Sequence, residues 1–499
     1  MSRLRRIDLL SVAAVLASVA LVALAAHRSI GLAVLLTAGL GVLIVVWLAA
    51  VSRKGMLALM TALMLVVLTV PDNYTLSYRI PIGGGGIFVS DMLVALLAAG
   101  VVLTLLTERR FTFPRSPVTL PLLLFLCWVA ITAGLGHVRG NELKYILADV
   151  RTLGYYVLFF WVIVYARDRR TVMVLLKVLA VCLVLDIAVG AVSYLSGQGG
   201  AVGFVETGVS RFPAPHDIFL GASVLLAAWI VVWPSGQRRP RVLWPLLGLA
   251  LAALAMSLVR GYYVAFAAGL AYLLLIVRTR ERARLLVGIV VVAALFGAGV
   301  AVVRPALLES VIKRATAVTA LNDPNIQFRL IENHDVWPQV VAHPIEGSGL
   351  GTGYVFDFSR YGVAPYVKYY IHNNYLWFWQ RMGLVGLGLF AWFISAFLFG
   401  RHRLSPAARN GDPWLAGLVI GSRPMIVALL VASITSPLFN TKENVAAIAT
   451  VMGLVVVAQP LLAKAWPDAK VGDEQSEGVA AVVAGEPAAP PGGTSVVSR

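Results

Sequence analysis

The chain has 499 residues, of which 59% are hydrophobic and only 13% are charged. Soluble domains carry about 25% charged residues, so this composition excludes an ordinary soluble protein. The formal net charge is +17, but the basic residues stand in short loops between apolar runs. That distribution is typical of membrane topology and argues against a nucleic-acid partner.

Apolar runs of about 17–25 residues, the length that crosses a hydrocarbon layer of ~30 Å, recur along the chain. They predict an all-α polytopic membrane protein with about 14 transmembrane helices, in a range of 12–14. The predicted spans are 9–26, 30–51, 55–71, 89–106, 118–136, 152–166, 171–195, 216–233, 242–259, 261–277, 285–303, 374–399, 414–433 and 444–463. The start resembles a signal peptide. Because a second run follows at once, we predict an uncleaved first span, with cleavage near Ala26 as the alternative.

Basic residues predict the orientation of these spans. With the N-terminus in the cytoplasm, the cytoplasmic segments hold 23 Lys and Arg residues and the outer segments hold 14. Six of the outer charges fall in one long loop, which the positive-inside rule weights little. Both termini are therefore predicted to be cytoplasmic, with the long loop outside.

The predicted domain organisation is a transmembrane domain over 1–463, which includes an outer loop of short helices over 304–373. Residues 464–499 lack apolar periodicity and are rich in Ala, Gly, Pro and acidic residues, so we expect a disordered cytoplasmic tail. Four consecutive glycines, Gly83 to Gly86, occur in another outer segment. No Gly-Lys-Ser/Thr follows them, so the pattern predicts a turn and not a P-loop. The two cysteines, Cys127 and Cys182, lie inside apolar runs and indicate no disulfide framework.

Arginines at three outer positions are candidates for anion binding. Arg211 stands beside His216 at the mouth of a span, Arg260 occupies a very short turn between two spans, and Arg329 lies in the long loop. A single arginine at this depth is equally typical of a headgroup anchor. Three on one face, however, suit a diphosphate, because guanidinium groups bind phosphate oxygens in bidentate pairs and keep their charge.

His372 is the candidate proton acceptor, because an imidazole exchanges a proton near neutral pH. It precedes Asn373 and an aromatic-rich span typical of a membrane interface, where a lone histidine is more often structural. The segment Gly347 to Gly353 contains alternating glycines. They permit either a flexible hinge or a close backbone approach to a polar ligand, with Gly349 and Gly351 as contact residues.

A metal site is the competing hypothesis for this loop. Its ligands would be His334, Asp335, His343 and His372, but their spacings fit no standard zinc motif. A Ser-His-Asp triad has no nucleophile elbow in this sequence. We therefore predict neither a metal nor a cofactor.

The loop and the following span resemble the shared region of O-antigen ligases and of O-antigen or exopolysaccharide polymerases. The resemblance rests on FRLIENHDVWPQVVAHPIEGSGLGTGY and IHNNYLWFWQRMGLVGL, with SLVRGYYVAF and RFPAPHDIFLGASVL upstream, and covers residues 205–390. The matching loop residues are Arg329, Trp337, His343, Pro344, Gly347, Gly349, Gly351, His372, Asn373, Tyr375, Leu376, Gly383 and Gly386. This chain departs from the pattern at Arg381, where many relatives carry an acidic residue, so no role of that carboxylate can be carried over.

This resemblance implies an integral membrane glycosyltransferase of GT-C-like architecture in the bacterial inner membrane. Such enzymes pass a glycan from an undecaprenyl-diphosphate carrier to an acceptor hydroxyl at the periplasmic face, without a metal and with inversion. By residue match, His372 is the implied catalytic base, and Arg260 and Arg329 bind the diphosphate. The implied substrate-binding residues are Arg211, His216, Asn373, Gly349 and Gly351. The implied partners are the lipid-linked donor, a glycan or glycolipid acceptor and membrane lipids, and a chain-length regulator protein is compatible with them.

Polymerisation of polysaccharide repeat units is the favoured activity, and a ligase that caps a lipid or protein acceptor is the alternative. A transporter or flippase for lipid-linked sugars is a third hypothesis, which requires ionisable residues that face each other inside the bundle. The candidates within spans are Lys177, Asp186, Arg381 and Arg423. Lys177 and Asp186 are nine residues apart on one helix and point to opposite faces.

Overall fold

The structure is a computed structural model that describes residues 53–70, 79–82, 85–107, 116–197, 212, 216–290, 324–400 and 404–465. Several predictions concern residues outside these ranges. They are the two spans at 9–26 and 30–51, most of the span at 285–303, the candidate Arg211, residues 304–323 of the outer loop, and the tail beyond residue 465.

Within the described residues the fold is almost entirely helical. The helices are α1 (Arg53–Thr69), α2 (Val89–Thr107), α3 (Thr119–Val138), α4 (Leu143–Gly154), α5 (Val157–Tyr165), α6 (Arg169–Leu195), α7 (Ile218–Val232), α8 (Leu243–Met256), α9 (Arg260–Ile276), α10 (Pro324–Ala342), α11 (Asn374–Phe399), α12 (Pro406–Gly411), α13 (Pro413–Ala432) and α14 (Lys442–Ala465). Residues 279–290 are also helical. The described residues also form two antiparallel hairpins. Strand β1 (Arg79–Ile82) pairs with β2 (Gly85–Phe88), and β3 (Tyr354–Phe356) pairs with β4 (Tyr366–Lys368).

Six stretches in the described ranges are long and apolar enough to cross a membrane. They are Thr119–Val138, Leu143–Tyr165, Arg169–Leu195, Asn374–Phe399, Pro413–Ala432 and Lys442–Ala465. Five shorter apolar helices accompany them within α1, α2, α7, α8 and α9. The prediction of a polytopic helical membrane protein is therefore confirmed at this level.

The span predicted at 152–166 is longer than expected, because it continues the helical stretch that begins at Leu143. A tight turn at Tyr155 and Tyr156 divides α4 from α5. In this turn backbone amides donate to carbonyls three residues earlier, and not four as in an α-helix. Almost all of α5 is buried, whereas α4 is amphipathic and carries charged residues such as Lys144 and Arg151. Those charges hid α4 from a prediction based on hydropathy alone.

Helices α13 and α14 form the centre of the bundle, and 72% and 78% of their apolar windows are buried. Small residues allow close helix packing here, as is common between membrane helices. A Cβ on Gly421 would lie 2.7 Å from the side chain of Ala228 on α7, and one on Gly269 of α9 would lie 3.0 Å from Ala428 of α13. Helices α7 and α9 therefore lie tightly against α13.

The outer loop differs from the prediction of short helices. Residues 324–342 form one helix of 19 residues, α10, and the β3–β4 hairpin follows it. Tyr354–Phe356 and Tyr366–Lys368 consist mainly of aromatic and β-branched residues, which favour strands. The prediction of an all-α loop was wrong at this hairpin.

Candidate active site

The turn between α13 and α14, residues 433–441, gathers the two arginines that the sequence predicts as anion ligands. Arg329 on α10 donates from Nε to the backbone oxygen of Thr435 at 3.2 Å. Arg260 is the first residue of α9, and a Cβ on the adjacent Gly261 would lie 2.4 Å from Thr435 Oγ1. Both arginines therefore belong to segments that contact the same residue of the α13–α14 turn.

The tight connection into α9 places Arg260 at a helix start. Leu258 has a φ of 53°, a left-handed conformation that is uncommon for a residue other than glycine. The orphan amides of a helix N-terminus favour negative charge, so an arginine at this position adds to a field that already attracts anions.

The start of α11 is attached to the same turn. Asn373 is the N-cap, and its side-chain oxygen accepts from the amides of Tyr375 and Leu376 at 3.1 and 3.2 Å. Asn374 donates its amide to Ser433 and accepts from the Phe439 amide at 2.7 Å. These bonds hold His372, which immediately precedes the cap, beside the α13–α14 turn.

His372 forms a pair with Glu332 of α10. Its backbone amide donates to Glu332 Oε2 at 2.8 Å, and its ring Nδ1 lies 3.0 Å from Oε2 and 3.2 Å from Oε1. An ionised carboxylate can only accept hydrogen bonds, so Nδ1 carries the proton of the neutral ring. Nε2 then has a free lone pair, as a general base requires.

Glu332 is fully buried and has two further partners. The Lys368 ammonium contacts Oε1, and the Tyr354 hydroxyl donates to the same atom at 3.0 Å. Burial alone would raise the pKa of this carboxyl, but the hydrogen bond to His372 and the charge of Lys368 hold the pKa below its ordinary value. Lys368 also lies 4.5 Å from the ring centre of Phe328 and 4.7 Å from that of Phe356. The buried carboxylate is therefore ionised and enclosed.

This cluster sets an expected pH dependence. A carboxyl whose pKa falls on folding contributes stability above its unfolded pKa of about 4.3, and this contribution is lost as the pH falls through the lower folded pKa. We expect hydrogen exchange of amides 368–373, corrected for intrinsic rates, to stay slow down to about pH 5 and to rise below about pH 4. In Glu332→Gln, which cannot titrate, this transition should be absent. If the transition persists in Glu332→Gln, it belongs to another carboxyl.

The start of α7 joins the site through its polar residues. The His216 amide donates to Asp186 Oδ1 at 3.2 Å, and both residues are buried. The side chain of Tyr262 interacts with Asp217 and with Ser436 in the α13–α14 turn. His216 is thus near the turn. Its backbone amide is already bonded to a protein group, the side chain of Asp186.

The glycines that were predicted to contact substrate lie against the backbone of neighbouring helices. Gly347, Gly349 and Gly351 all have φ values between 78° and 88°. A Cβ on Gly349 would lie 2.5 Å from the Gly136 backbone, and one on Gly351 would lie 2.7 Å from the Ile146 amide nitrogen. Gly349 and Gly351 therefore pack against α3 and α4, and their contact with substrate stays a prediction. Asn373 likewise serves as a helix cap.

A break in α11 explains why the loop packs so closely. Gly383 has a φ of 66° and a ψ of −173°, which interrupts the helix. The amides of Ser348 and Gly349 donate to the carbonyls of Gln380 and Arg381, and the amide of Leu384 donates to Pro344. Residues 343–353, which we call the glycine loop, therefore supply backbone bonds that the broken helix lacks.

Arg381, at which the chain departs from the family pattern, stabilises the packing of the glycine loop against α11. Its Nε donates to Asp149 Oδ2 at 2.7 Å, and the same oxygen accepts from the Gly351 amide at 2.7 Å. A third bond runs from Arg381 to the carbonyl of Tyr369 at 2.6 Å. The buried guanidinium thus joins α4, the glycine loop and the segment before His372.

The alternative metal ligands do not converge. His334 pairs with Asp335 at 3.3 Å, His343 pairs with Glu346 at 3.0 Å, and His372 pairs with Glu332. Over the ranges that the structure describes, no three His, Cys, Asp or Glu side chains come close enough to hold an ion. The described geometry therefore favours three separate histidine–carboxylate pairs over one shared site.

Sequence reasoning missed Glu332, Lys368 and the α13–α14 turn. Glu332 follows Arg329 by three residues, and residues at this spacing share a helix face. That periodicity could have indicated Glu332, whereas the contacts of Lys368 and Thr435 depend on tertiary structure.

The chain was compared with models of known protein families. Residues 245–391 match the model described as O-antigen ligase. The matched region runs from α8 into α11 and includes Arg260, Arg329, Glu332 and His372. A search of curated proteins finds no match to this chain. The family that the loop motifs predicted is thus confirmed for residues 245–391, which are similar to the O-antigen ligase family.

Proposed function

We propose that this protein transfers a glycan from an undecaprenyl-diphosphate-linked donor to a sugar hydroxyl at the periplasmic face of the bacterial inner membrane. The favoured activity is polymerisation of polysaccharide repeat units by a metal-independent, inverting GT-C-like enzyme of fourteen spans. The observation that carries the proposal is the pair of the buried Glu332 with the partly exposed His372, which lies at the same turn as Arg260 and Arg329.

In the proposed reaction each side chain of the site has one role. His372 Nε2 takes the proton of the acceptor hydroxyl as its oxygen attacks the anomeric carbon. The bond from that carbon to the diphosphate oxygen breaks, and its electron pair leaves with undecaprenyl diphosphate. Arg260 and Arg329 stabilise the charge that develops on the leaving diphosphate, and Glu332 stabilises the imidazolium. Arg211 and His216 are proposed to contact the donor.

The distribution of charge in the described structure lends little support to transport. Arg381 is paired with Asp149, and Arg423 donates to the Gly400 carbonyl near the end of α11. Lys177 is exposed on α6, away from the buried Asp186. A transport pathway would favour ionisable groups that oppose each other within the bundle.

The test is turnover of a lipid-linked oligosaccharide donor by protein reconstituted in liposomes. We expect His372→Ala to lower the rate of donor consumption by about 10²–10⁴-fold, because it removes the general base. His334→Ala is the matched control, since His334 is exposed on α10 and, among the described residues, pairs with its neighbour Asp335. Full turnover by His372→Ala would refute the assignment of the base.

The same assay distinguishes the alternatives. A ladder of products indicates a polymerase, whereas one capped product indicates a ligase. Turnover should persist in EDTA, and its loss would restore the metal hypothesis. Movement of intact donor across the bilayer without a new glycosidic bond would support the transporter.

A further inference from the structure

A cavity of about 350 Å³ runs along α8 and α9, from the loop that holds Arg239 to Tyr263, which follows Arg260 by three residues. Its walls are apolar and come from α7, α8, α9 and the helical residues 279–290. Arg239 and Arg284 line one end, and Ala255 and Tyr263 line the end nearer to Arg260. The proposed mechanism uses none of the cavity residues.

The length of the cavity matches one leaflet of a bilayer. It follows α8 from Trp244 to Ala255, which at 1.5 Å per residue is about 17 Å. Half of a ~30 Å hydrocarbon core is about 15 Å. The space is therefore as deep as one acyl chain inserted from one side of the membrane.

The two arginines at its mouth carry uncompensated charge. Arg284 donates to the backbone oxygen of Trp233 at 3.4 Å and to Ser235. Burial, and then the like charge of Arg284, hold the pKa of Arg239 below its ordinary value. Within the part of the chain that the structure describes, no carboxylate pairs with either guanidinium. An anion between them would relieve the repulsion, and guanidinium groups match phosphate oxygens well.

We propose that this cavity binds an anionic diacyl phospholipid, with the phosphate between Arg239 and Arg284 and one acyl chain along α8. In the orientation of the proposed function this lipid comes from the cytoplasmic leaflet, and only that assignment of leaflet rests on the proposed function. The polyprenyl chain of the donor fits less well, because it would enter from the end nearer to Arg260 and would bring no anion to Arg239 and Arg284.

Native mass spectrometry of the delipidated full-length protein tests the site. The probes are phosphatidylglycerol and phosphatidylcholine with identical acyl chains. We expect wild-type protein to retain phosphatidylglycerol preferentially. The double variant Arg239→Gln/Arg284→Gln should lose at least ~10-fold in its apparent affinity for phosphatidylglycerol, because two charges near the headgroup are removed. The matched control is Arg238→Gln/Arg241→Gln, which removes the same charge from exposed positions of the same loop.

A second variant tests the acyl-chain pocket. Gly288 lines the cavity, and a Cβ there would meet no atom of the described residues within 4 Å. Gly288→Leu should therefore fold and still exclude the chain, with a similar loss of phosphatidylglycerol. Equal retention of both lipids by wild type, or undiminished retention by the double variant, would refute the site. Displacement of phosphatidylglycerol by a neutral polyprenol would assign the cavity to the donor chain instead. Lipid retention is measured without glycan transfer, so this proposal and the proposed function can fail separately.

Discussion

Replacing Glu332 with glutamine is expected to lower the rate of glycan transfer by about 10²–10⁴-fold, close to the effect of removing His372 itself. The buried carboxylate accepts from both the backbone amide and Nδ1 of His372. Glutamine can still accept a hydrogen bond, but it cannot stabilise the imidazolium that forms as the acceptor loses its proton. It also leaves the Lys368 ammonium without its carboxylate partner in an enclosed site.

The chain offers a close control for this experiment. Glu346 lies 3.0 Å from His343 Nδ1. This is also a glutamate–histidine pair, but it lies at a half-exposed position of the glycine loop. Glu346→Gln should retain most of the activity. Glu332→Asp, which keeps the charge but shortens the reach, should recover more activity than Glu332→Gln, and this order would not follow from a purely structural role. The assignment is wrong if Glu332→Gln and Glu346→Gln turn over donor at the same rate.

Substituting alanine for Gly383 is expected to prevent folding or to destabilise the protein by several kcal/mol. The backbone conformation at this residue costs a residue other than glycine about 1–3 kcal/mol. In addition, a Cβ would lie 1.9 Å from the backbone oxygen of Ile345, which cannot move without breaking the contact between the glycine loop and α11. Thermal unfolding in detergent and the yield of monodisperse protein would report the loss.

Gly388 provides the comparison on the same helix. A Cβ at Gly388 would meet nothing within 4 Å, so Gly388→Ala should be neutral or should stabilise α11 by up to about 1 kcal/mol. Equal melting temperatures for Gly383→Ala and Gly388→Ala would show that the break in α11 is not required. The contrast separates the backbone requirement from a general sensitivity of α11 to alanine.

Hydropathy correctly predicted a polytopic helical membrane protein, because each span must satisfy its own backbone in lipid and therefore has a recognisable length and composition. It failed at α4, where amphipathic sequence replaces an apolar run. The outer loop was harder to predict. The β3–β4 hairpin has strands of only three residues, too short for an alternating pattern to identify.

The candidate site was predictable in its residue types and less so in its connections. Arg329 and His372 were visible as polar residues of an outer loop, and the loop motifs indicated the family. The Glu332–His372 bond joins residues 40 positions apart, and the Asp149–Arg381 bond joins residues 232 positions apart. A single sequence carries no signal for such pairs. The glycines were interpreted as flexible or ligand-binding, because the partner helices that they touch could not be known.

The α13–α14 turn also has a consequence for biosynthesis. Arg329 is synthesised 106 residues before Thr435, the residue whose carbonyl it contacts. At about 5–20 residues per second, the ribosome needs roughly 5–20 s to close that gap. During this interval the synthesis of α10 is completed after that of α9, but the turn that brings their arginines together does not yet exist. Assembly of the site is therefore a late event in membrane insertion, and a chain truncated before α13 would insert most of its helices without forming it.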